Sequence, residues 1–178
     1  MDYKKLGSTD LFVSSLGFGA MRLPIPPDSR DFTKAVPLLH HAIKAGISFF
    51  DVGTFYCHNL CEEAFGLAIS SLSNNIVLSG KNSTHQSVNE NWTCQLKNTL
   101  HHFNREALDI YFIHYLEQQM WERHFIKGGV VEEVNRAKRD GLIKYLGFSS
   151  HDTPENIKKE RNAKSLEEAF VSIIKENG

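Results

Sequence analysis

Short apolar runs alternate with amphipathic segments along this chain, and this alternation limits the possible folds more than any other feature. Five runs fall at residues 15–21, 48–52, 76–81, 108–115 and 145–149. Their β-branched and aromatic content is typical of parallel strands that are buried on both faces. A short hairpin is predicted over residues 3–13, with turn signals at Gly7, Ser8 and Asp10. About five β-α units of roughly thirty residues each therefore predict an α/β fold with right-handed crossovers.

The segments between the runs have the spacing of apolar residues expected for helices that cover a sheet. Gly46 is a stop signal for the first helix. The second is predicted to begin near Asn59, with Glu62 as its capping-box partner. A fifth is predicted to begin at Thr153 and Pro154. The predicted apolar faces are Ala35, Leu38, Leu39, Ala42 and Ile43 in the first helix, Ala64, Phe65, Ala68 and Ile69 in the second, Val88, Trp92, Leu96, Leu100 and Phe103 in the third, and Val130, Val131, Val134 and Ala137 in the fourth.

Two architectures fit a β-α repeat: an open, doubly wound sheet and part of a (β/α)8 barrel. An open nucleotide-binding sheet usually has a glycine-rich phosphate loop after its first strand. Here Gly17 and Gly19 form only a GxG pair, and Pro24, Pro26 and Pro27 prevent an immediate helix. An unrelated open-sheet binder of nucleotides or phosphate stays as an alternative. It requires a switch in strand order, so consecutive order would exclude it.

Charge and composition exclude several classes of protein. A formal net charge of −1 argues against a nucleic-acid binder. No apolar run approaches the roughly 20 residues that span a bilayer, and the first residues do not resemble a signal peptide. The three cysteines, Cys57, Cys61 and Cys94, have no disulfide-framework spacing, which favours a reducing cytoplasm. Cys57, His58 and Cys61 are too few ligands for structural zinc, so no metal site is predicted.

Polar side chains follow three successive strands of the predicted sheet. Asp51 ends the second strand and Tyr56 lies shortly after it; Lys81 ends the third strand, and His114 follows an apolar run in the fourth. Each residue alone has an ordinary explanation, such as a helix cap, a loop aromatic, a solvated strand end or a core imidazole. Because the carboxyl ends of parallel strands meet at one rim, the joint pattern predicts an active site there.

Five separate blocks of the sequence resemble the aldo/keto reductase family, in that family's order and over about residues 3–157. They are KLGST at 5–9, LGFGAMRLP at 16–24, GISFFD at 46–51 with Tyr56 following, LDIYFIH at 108–114 and KYLGFSSH at 144–151. The resemblance implies a partial TIM (β/α)8 barrel with an N-terminal β-hairpin. It also implies an NADP(H)-dependent oxidoreductase that reduces an aldehyde or ketone to an alcohol.

The family's catalytic tetrad would fall on Asp51, Tyr56, Lys81 and His114. The resemblance implies that Tyr56 donates the proton and that His114 orients the carbonyl oxygen. A tyrosine is a poor acid near neutrality, since its ordinary pKa is about 10. A neighbouring ammonium lowers that pKa, so Lys81, held by Asp51, is expected to assist Tyr56.

The resemblance also implies residues that hold the nicotinamide cofactor. Ser149 and Ser150 match a Ser-Asn pair of the family, and the second position departs from the common Asn. Gly19, Met21 and Arg22, at the end of the first predicted strand, are expected near the cofactor, with an exposed surface position as the alternative for Arg22.

The predicted organisation is a barrel portion over 1–157, followed by a charged linker and a final amphipathic helix over 158–178. A complete barrel has eight units and about 250 residues, so a C-terminally shortened member of the family is expected. Its open sheet edges are expected either to pair with another copy of the chain or to stay open, with the final helix covering one edge. The expected partners are therefore a small carbonyl substrate and a homo-oligomer. A non-catalytic remnant or binding module of the same fold is the alternative.

Overall fold

The computed structural model describes residues 1–70, 76–83, 91–116 and 127–150, with Thr153 and Glu155. The predicted start of a fifth helix at Pro154, the segment 158–178 and Val88 lie outside the described residues. In the described part of the chain, no helix has the length and apolar content to cross a bilayer. The strands are β1 (Tyr3–Lys5), β2 (Phe12–Ser14), β3 (Gly17–Gly19), β4 (Phe49–Asp51), β5 (Val77–Asn82), β6 (Leu108–Ile113) and β7 (Ile143–Phe148). The helices are α1 (Ala35–Lys44), α2 (Cys61–Ile69), α3 (Trp92–Phe103) and α4 (Val130–Arg139), and a single 3-10 turn spans Ala20–Arg22.

The strands form an antiparallel hairpin and a parallel sheet. β1 pairs with β2, and the five-stranded sheet has the order β3-β4-β5-β6-β7. This consecutive order excludes the open-sheet alternative, which requires a switch point. It confirms the predicted α/β fold with part of a (β/α)8 barrel and an N-terminal hairpin. Among the described residues, β3 and β7 are the edges of the parallel sheet.

The two faces of the parallel sheet have different neighbours, because successive side chains on a strand point to opposite sides. One face packs under the helices, and Phe50, Leu78 and Tyr111 belong to that core. The other face is the inner face of the barrel, where Val77 and Ile110 pack against the hairpin. That smaller cluster comprises Leu11, Val13, Val77 and Ile110, with Leu6, Phe49, Phe112 and Tyr145 partly buried around it.

Helices α2 and α3 approach each other closely at Gly66. A Cβ atom at this position would lie 1.9 Å from the carbonyl oxygen of His102. Only glycine allows this approach, which brings the rings of Phe65 and Phe103 to a centroid distance of 5.9 Å. The contact fixes α2, and with it the loop that precedes α2, against the rest of the core.

Most predicted elements are found, with shifts at their ends. The first predicted strand is shorter, because the chain turns into the 3-10 turn directly after Gly19. The fourth ends at Ile113, since His114 and Tyr115 form a turn in which Tyr115 has a φ of 64°. Gly46, with a φ of 91°, ends the first helix as predicted.

Two helix predictions are wrong. Leu38 is 42% exposed, because the buried stripe of α1 runs through Ala35, Leu39 and Ala42. The predicted capping box of the second helix is not found, because Cys57, His58 and Asn59 all adopt left-handed φ angles of 50°, 58° and 66°. Helix α2 therefore starts at Cys61, without a side-chain cap. Glu62 is not a capping-box residue but a buried one.

Candidate active site

An ion pair between a buried lysine and a partly exposed aspartate lies at the carboxyl end of the inner face. The Lys81 side chain is 7% exposed, and its Nζ donates to Asp51 Oδ1. Ser79 Oγ donates to the same oxygen at 2.8 Å. The register pairs Asp51 with Ser79, and Lys81 lies two residues further along β5, so all three side chains share one face. A buried ammonium needs such a partner, because removing an unpaired charge from water is costly.

Tyr56 lies above this ion pair in the loop between β4 and α2. Its backbone N–H donates to the carbonyl oxygen of Gly53 at 3.1 Å, which forms a tight turn. The phenol ring folds back over Gly53, where a Cβ atom would lie 3.0 Å from Tyr56 Cζ. Lys81 Nζ is 5.8 Å from the centre of the Tyr56 ring. The structure therefore brings the phenol, the ammonium and the carboxylate together, as expected for a proton-transfer site.

The expected lowering of the Tyr56 pKa is not found. Burial, followed by the negative charge of Asp51 and then Cys61, raises the pKa of Tyr56 from 10.0 to about 12. The Asp51 carboxylate, which binds Lys81, places a negative charge near the phenol and so disfavours the phenolate. Tyr56 therefore stays protonated throughout the physiological pH range in this state.

His114 completes the cluster from the neighbouring strand. Its backbone N–H donates to the carbonyl oxygen of Asn82 at 2.9 Å, which continues the pairing of β5 and β6. Its ring meets the Tyr56 ring edge-on, with centroids 6.1 Å apart and an interplanar angle of 81°. On its other side, His114 Nδ1 lies 2.8 Å from Ser83 Oγ. Sequence reasoning missed Ser83, although its position two residues after Lys81 gave a signal that the two side chains share a face.

Glu62 is a second residue that sequence reasoning placed wrongly. It is 2% exposed, and its Oε1 accepts from Thr54 Oγ1 at 3.1 Å and from Thr99 Oγ1 at 3.0 Å. Its Oε2 lies 3.0 Å from His102 Nδ1. The Thr54 hydroxyl also reaches the carbonyl oxygen of Lys81 at 3.0 Å. The buried carboxylate thus joins α2 and α3 to the strand that carries Lys81.

The carboxylate of Glu62 also affects the imidazole that it contacts. The hydrogen bond from His102 to Glu62, together with the negative charge of that carboxylate, raises the pKa of His102 above its ordinary value, against the opposing effect of burial. A charged His102 neutralises a carboxylate that is otherwise bonded only to hydroxyl groups among the described residues.

The predicted cofactor residues after β7 lie at the same rim. Ser149 Oγ accepts from the backbone N–H of Tyr115 at 3.1 Å, and the Ser149 N–H donates to the Ile113 carbonyl at 2.9 Å. These bonds fix Ser149 beside the end of β6, because Ile113 and Tyr115 are the two residues that flank His114. Ser150 is partly exposed immediately after it.

The predicted cofactor residues after β3 are at the opposite edge of the sheet. Gly19 pairs in register with Asp51, so its backbone lies beside the ion pair. Met21 is 56% exposed and Arg22 is also exposed in the 3-10 turn. Of these three residues, only Gly19 is paired with a strand residue of the Asp51–Lys81 ion pair, and it contributes its backbone.

The two thiols near Tyr56 donate hydrogen bonds to backbone carbonyl oxygens. Cys57 Sγ donates to the Met21 carbonyl at 3.3 Å, and Cys61 Sγ donates to the Ala20 carbonyl at 3.2 Å. Within the described ranges, no group of three or more His, Cys, Asp or Glu side chains could hold a metal ion.

A parallel sheet in consecutive strand order, with ionisable side chains gathered at its carboxyl end, defines a protein of the (β/α)8-barrel class. Comparison with known families is more specific: the profile of the aldo/keto reductase family matches residues 15–174. The chain belongs to the aldo/keto reductase family.

Individual proteins that are similar to this chain support its assignment to this family. The chain is 28% identical over 162 residues to the uncharacterized oxidoreductase YqkF of Bacillus subtilis, covering 84% of this chain and 49% of the relative. An aldo-keto reductase of Bacillus halodurans in its holo form has a TM-score of 0.70 and 27% identity, covering 93% of this chain and 55% of that one. An aldo-keto reductase of Klebsiella pneumoniae in complex with NADPH has the same fold, with a TM-score of 0.66 and 22% identity, covering 88% and 52%. The chain thus spans about half the length of the relatives that it matches.

Proposed function

We propose that this chain carries the proton-transfer site of an NADP(H)-dependent oxidoreductase that reduces an aldehyde or ketone to an alcohol. The observation that carries the proposal is the cluster of Tyr56, Lys81, Asp51 and His114 at the carboxyl end of the sheet. Lys81 Nζ bonds to Asp51 and lies 5.8 Å from the Tyr56 ring centre, and the His114 ring meets the same phenol edge-on. Membership of the aldo/keto reductase family supports the same reaction class.

In this proposal Tyr56 is the general acid. Hydride addition to a carbonyl carbon leaves the electron pair of the C=O bond on oxygen, and that oxygen takes the phenolic proton of Tyr56. With a pKa raised to about 12, Tyr56 holds this proton at physiological pH until the alkoxide forms. The phenolate that results is stabilised by the nearby ammonium of Lys81, which Asp51 keeps in place. His114 donates a hydrogen bond to the carbonyl oxygen and orients it towards Tyr56.

The nicotinamide cofactor supplies the hydride when it is bound. The residues present fit its carboxamide end, because the Ser149 hydroxyl is fixed at the rim and its own hydrogen is not used in any bond among the described residues. Ser150 and the backbone of Gly19 extend the same rim, and Met21 and Arg22 are the exposed side chains next to Gly19. We propose that these residues bind the cofactor.

Turnover and cofactor binding test the proposal separately. NADPH is titrated into the purified chain while nicotinamide fluorescence is followed, and consumption of NADPH is then measured with an aromatic aldehyde. Tyr56→Phe is expected to reduce turnover on the order of a hundredfold or more while leaving NADPH binding unchanged, because general acid catalysis contributes about 10²–10⁴-fold.

Tyr3→Phe is the matched control for this variant. The Tyr3 hydroxyl donates to the carbonyl oxygen of Gly46 at 2.9 Å, and Gly46 precedes the amino end of β4, whereas Tyr56 follows its carboxyl end. Its loss should leave turnover as it is. If the wild-type chain neither binds NADPH saturably nor reduces the aldehyde, the chain is a non-catalytic module of the fold.

A further inference from the structure

Ser83 lies immediately after β5, where the strand leaves the sheet. The residue is fully buried, with 0% of its surface exposed. Its backbone N–H donates to Oε1 of Gln95 in α3, which fixes the position of the main chain. Its hydroxyl lies 2.8 Å from His114 Nδ1, a normal distance for a hydrogen bond. Ser83 is therefore held by one helix and directed at the imidazole of the neighbouring strand.

The direction of this hydrogen bond follows from the burial of Ser83. Within the described part of the chain, His114 Nδ1 is the one partner of the Ser83 hydroxyl. If Nδ1 carried the proton, Ser83 Oγ would accept it, and the hydroxyl hydrogen would be buried without an acceptor. A buried donor without an acceptor destabilises the folded state, because it loses its hydrogen bonds to water and gains none in return. The favoured arrangement is the one in which Ser83 donates and Nδ1 is the acceptor.

A neutral imidazole carries one proton, so an accepting Nδ1 places that proton on Nε2. We propose that Ser83 is a positioning residue that holds neutral His114 in its Nε2–H tautomer. The inference deepens the proposed function, and only its catalytic consequence depends on that function. A carbonyl oxygen can only accept a hydrogen bond, so this tautomer gives His114 the donor that carbonyl orientation requires. The opposite tautomer would direct a nitrogen lone pair at an oxygen lone pair.

The tautomer can be measured without any enzymatic assay. Long-range ¹H–¹⁵N correlation spectra of protein labelled in its histidine rings distinguish protonated from unprotonated ring nitrogens. The chain has 9 histidines, so the His114 signals are identified by their loss in His114→Gln. At neutral pH, His114 is expected to show an unprotonated Nδ1 and a protonated Nε2. A protonated Nδ1, in either the neutral tautomer or the imidazolium, would overturn the proposal.

Variants of Ser83 test whether this hydroxyl sets the tautomer. Ser83→Ala should shift His114 towards a mixture of both tautomers, whereas Ser83→Thr, which retains a hydroxyl, should keep the wild-type pattern. Ser48→Ala is the matched control, because it also removes a buried hydroxyl but lies at the amino end of β4. An unchanged His114 spectrum in folded Ser83→Ala would show that Ser83 does not fix the tautomer.

Kinetics test the consequence for carbonyl reduction. Ser83→Ala is expected to lower kcat roughly five- to tenfold, the equivalent of about one hydrogen bond, with the KM for NADPH unchanged. Ser83→Thr should recover most of this loss. If the tautomer shifts but kcat does not, the catalytic part of the inference is wrong. If the wild-type chain has no turnover while the spectra agree, the proposed function fails and the role of Ser83 in setting the tautomer stands.

Discussion

The two ends of the inner face of the parallel sheet are built from the same strands but contain opposite kinds of side chain. At the amino end, Val77 and Ile110 pack against Leu11 and Val13 of the hairpin. At the carboxyl end, the same face carries the ion pair of Lys81 with Asp51. The hairpin covers one end with apolar contacts, and the site gathers its charges at the other.

Every second residue of a strand lies on the inner face, and along β4 and β5 these residues change from apolar to polar towards the carboxyl end. On β5 the inner face goes from Val77 through Ser79 to Lys81, all of which are buried. On β4 it goes from Phe49 to Asp51. By analogy with other barrels, we expect the amino end to contribute mainly to stability and the carboxyl end to carry the proposed chemistry. Substitutions at the two ends should have separable effects.

The largest expected effect is the loss of activity when the carboxyl end loses its cation. Lys81→Met is expected to reduce aldehyde turnover by about 10²–10⁴-fold, because the phenolate of Tyr56 loses its stabilising charge. The free energy of unfolding should change by less than about 1 kcal/mol, since Asp51 is 34% exposed and can be hydrated. Steady-state kinetics and urea unfolding measure the two quantities. Lys144→Met, which removes an exposed lysine paired with Asp10, should affect neither strongly.

The amino end should show the reverse pattern. Ile110→Ala is expected to lower the free energy of unfolding by about 3 kcal/mol, because a side chain that is 6% exposed leaves a cavity under the hairpin. In urea unfolding, Leu38→Ala serves as the matched control, since Leu38 is 42% exposed and its loss should cost less than about 0.5 kcal/mol. Equal losses from the two substitutions would contradict the burial that separates them.

Much of this division of the sheet can be predicted from the sequence, namely the positions of the strands and the residues at their carboxyl ends. The apolar runs locate all five parallel strands within a few residues. The convergence of Asp51, Lys81 and His114 follows from parallel pairing, because strand ends meet at one rim. The family resemblance adds Tyr56, whose position in a loop has no periodic signal of its own.

Other features depend on tertiary contacts and could not be predicted. The local pattern at Glu62 satisfies a capping box, but three left-handed residues before α2 shift the helix start and leave Glu62 in the core. The bond from Ser83 to His114 depends on the register of β5 and β6. The pKa of Tyr56 depends mainly on how deeply the fold buries its ring, because burial is the largest cause of the shift.

An intermediate effect is expected on the titration of Tyr56. Asp51→Asn removes a negative charge that raises this pKa and leaves the ammonium of Lys81 without its counter-charge. The pKa of Tyr56 should therefore fall from about 12 towards its ordinary value of 10.0. Phenolate absorbance during alkaline titration measures it, with Tyr56→Phe in the same background subtracted to isolate its signal. Asp10→Asn, at the amino end of the sheet, is the control that should leave the pKa unchanged.

A failure of Asp51→Asn to lower this pKa would mean that burial and Cys61 raise it without help from the Asp51 charge. In that case the carboxylate would act only by holding Lys81 in place, and the two roles assigned to Asp51 would be reduced to one.

The smallest expected effect concerns the pH dependence of stability at the Glu62 network. The pKa of His102 is raised above its ordinary value of 6.5, so the folded state binds its proton more tightly than the unfolded chain. The resulting stability is fully present below about pH 6.5 and is lost as the pH rises through the raised pKa of the folded state. Because the His102 side chain is 40% exposed, solvent screening should limit the change to a few tenths of a kcal/mol.

Urea unfolding at a series of pH values tests this link, with His102→Asn as the variant and His101→Asn, its exposed neighbour in α3, as the control. The wild-type protein and the control should lose this small increment as the pH rises, whereas His102→Asn should lack it. The opposite slope would mean that burial of the imidazole outweighs its bond to Glu62.

Thr54 joins Glu62 to the carbonyl of Lys81, so kinetic measurements on the same variants would show whether the charge of His102 also affects the site. A change in aldehyde turnover in His102→Asn but not in His101→Asn would establish that coupling, and equal turnover would confine the network to stability.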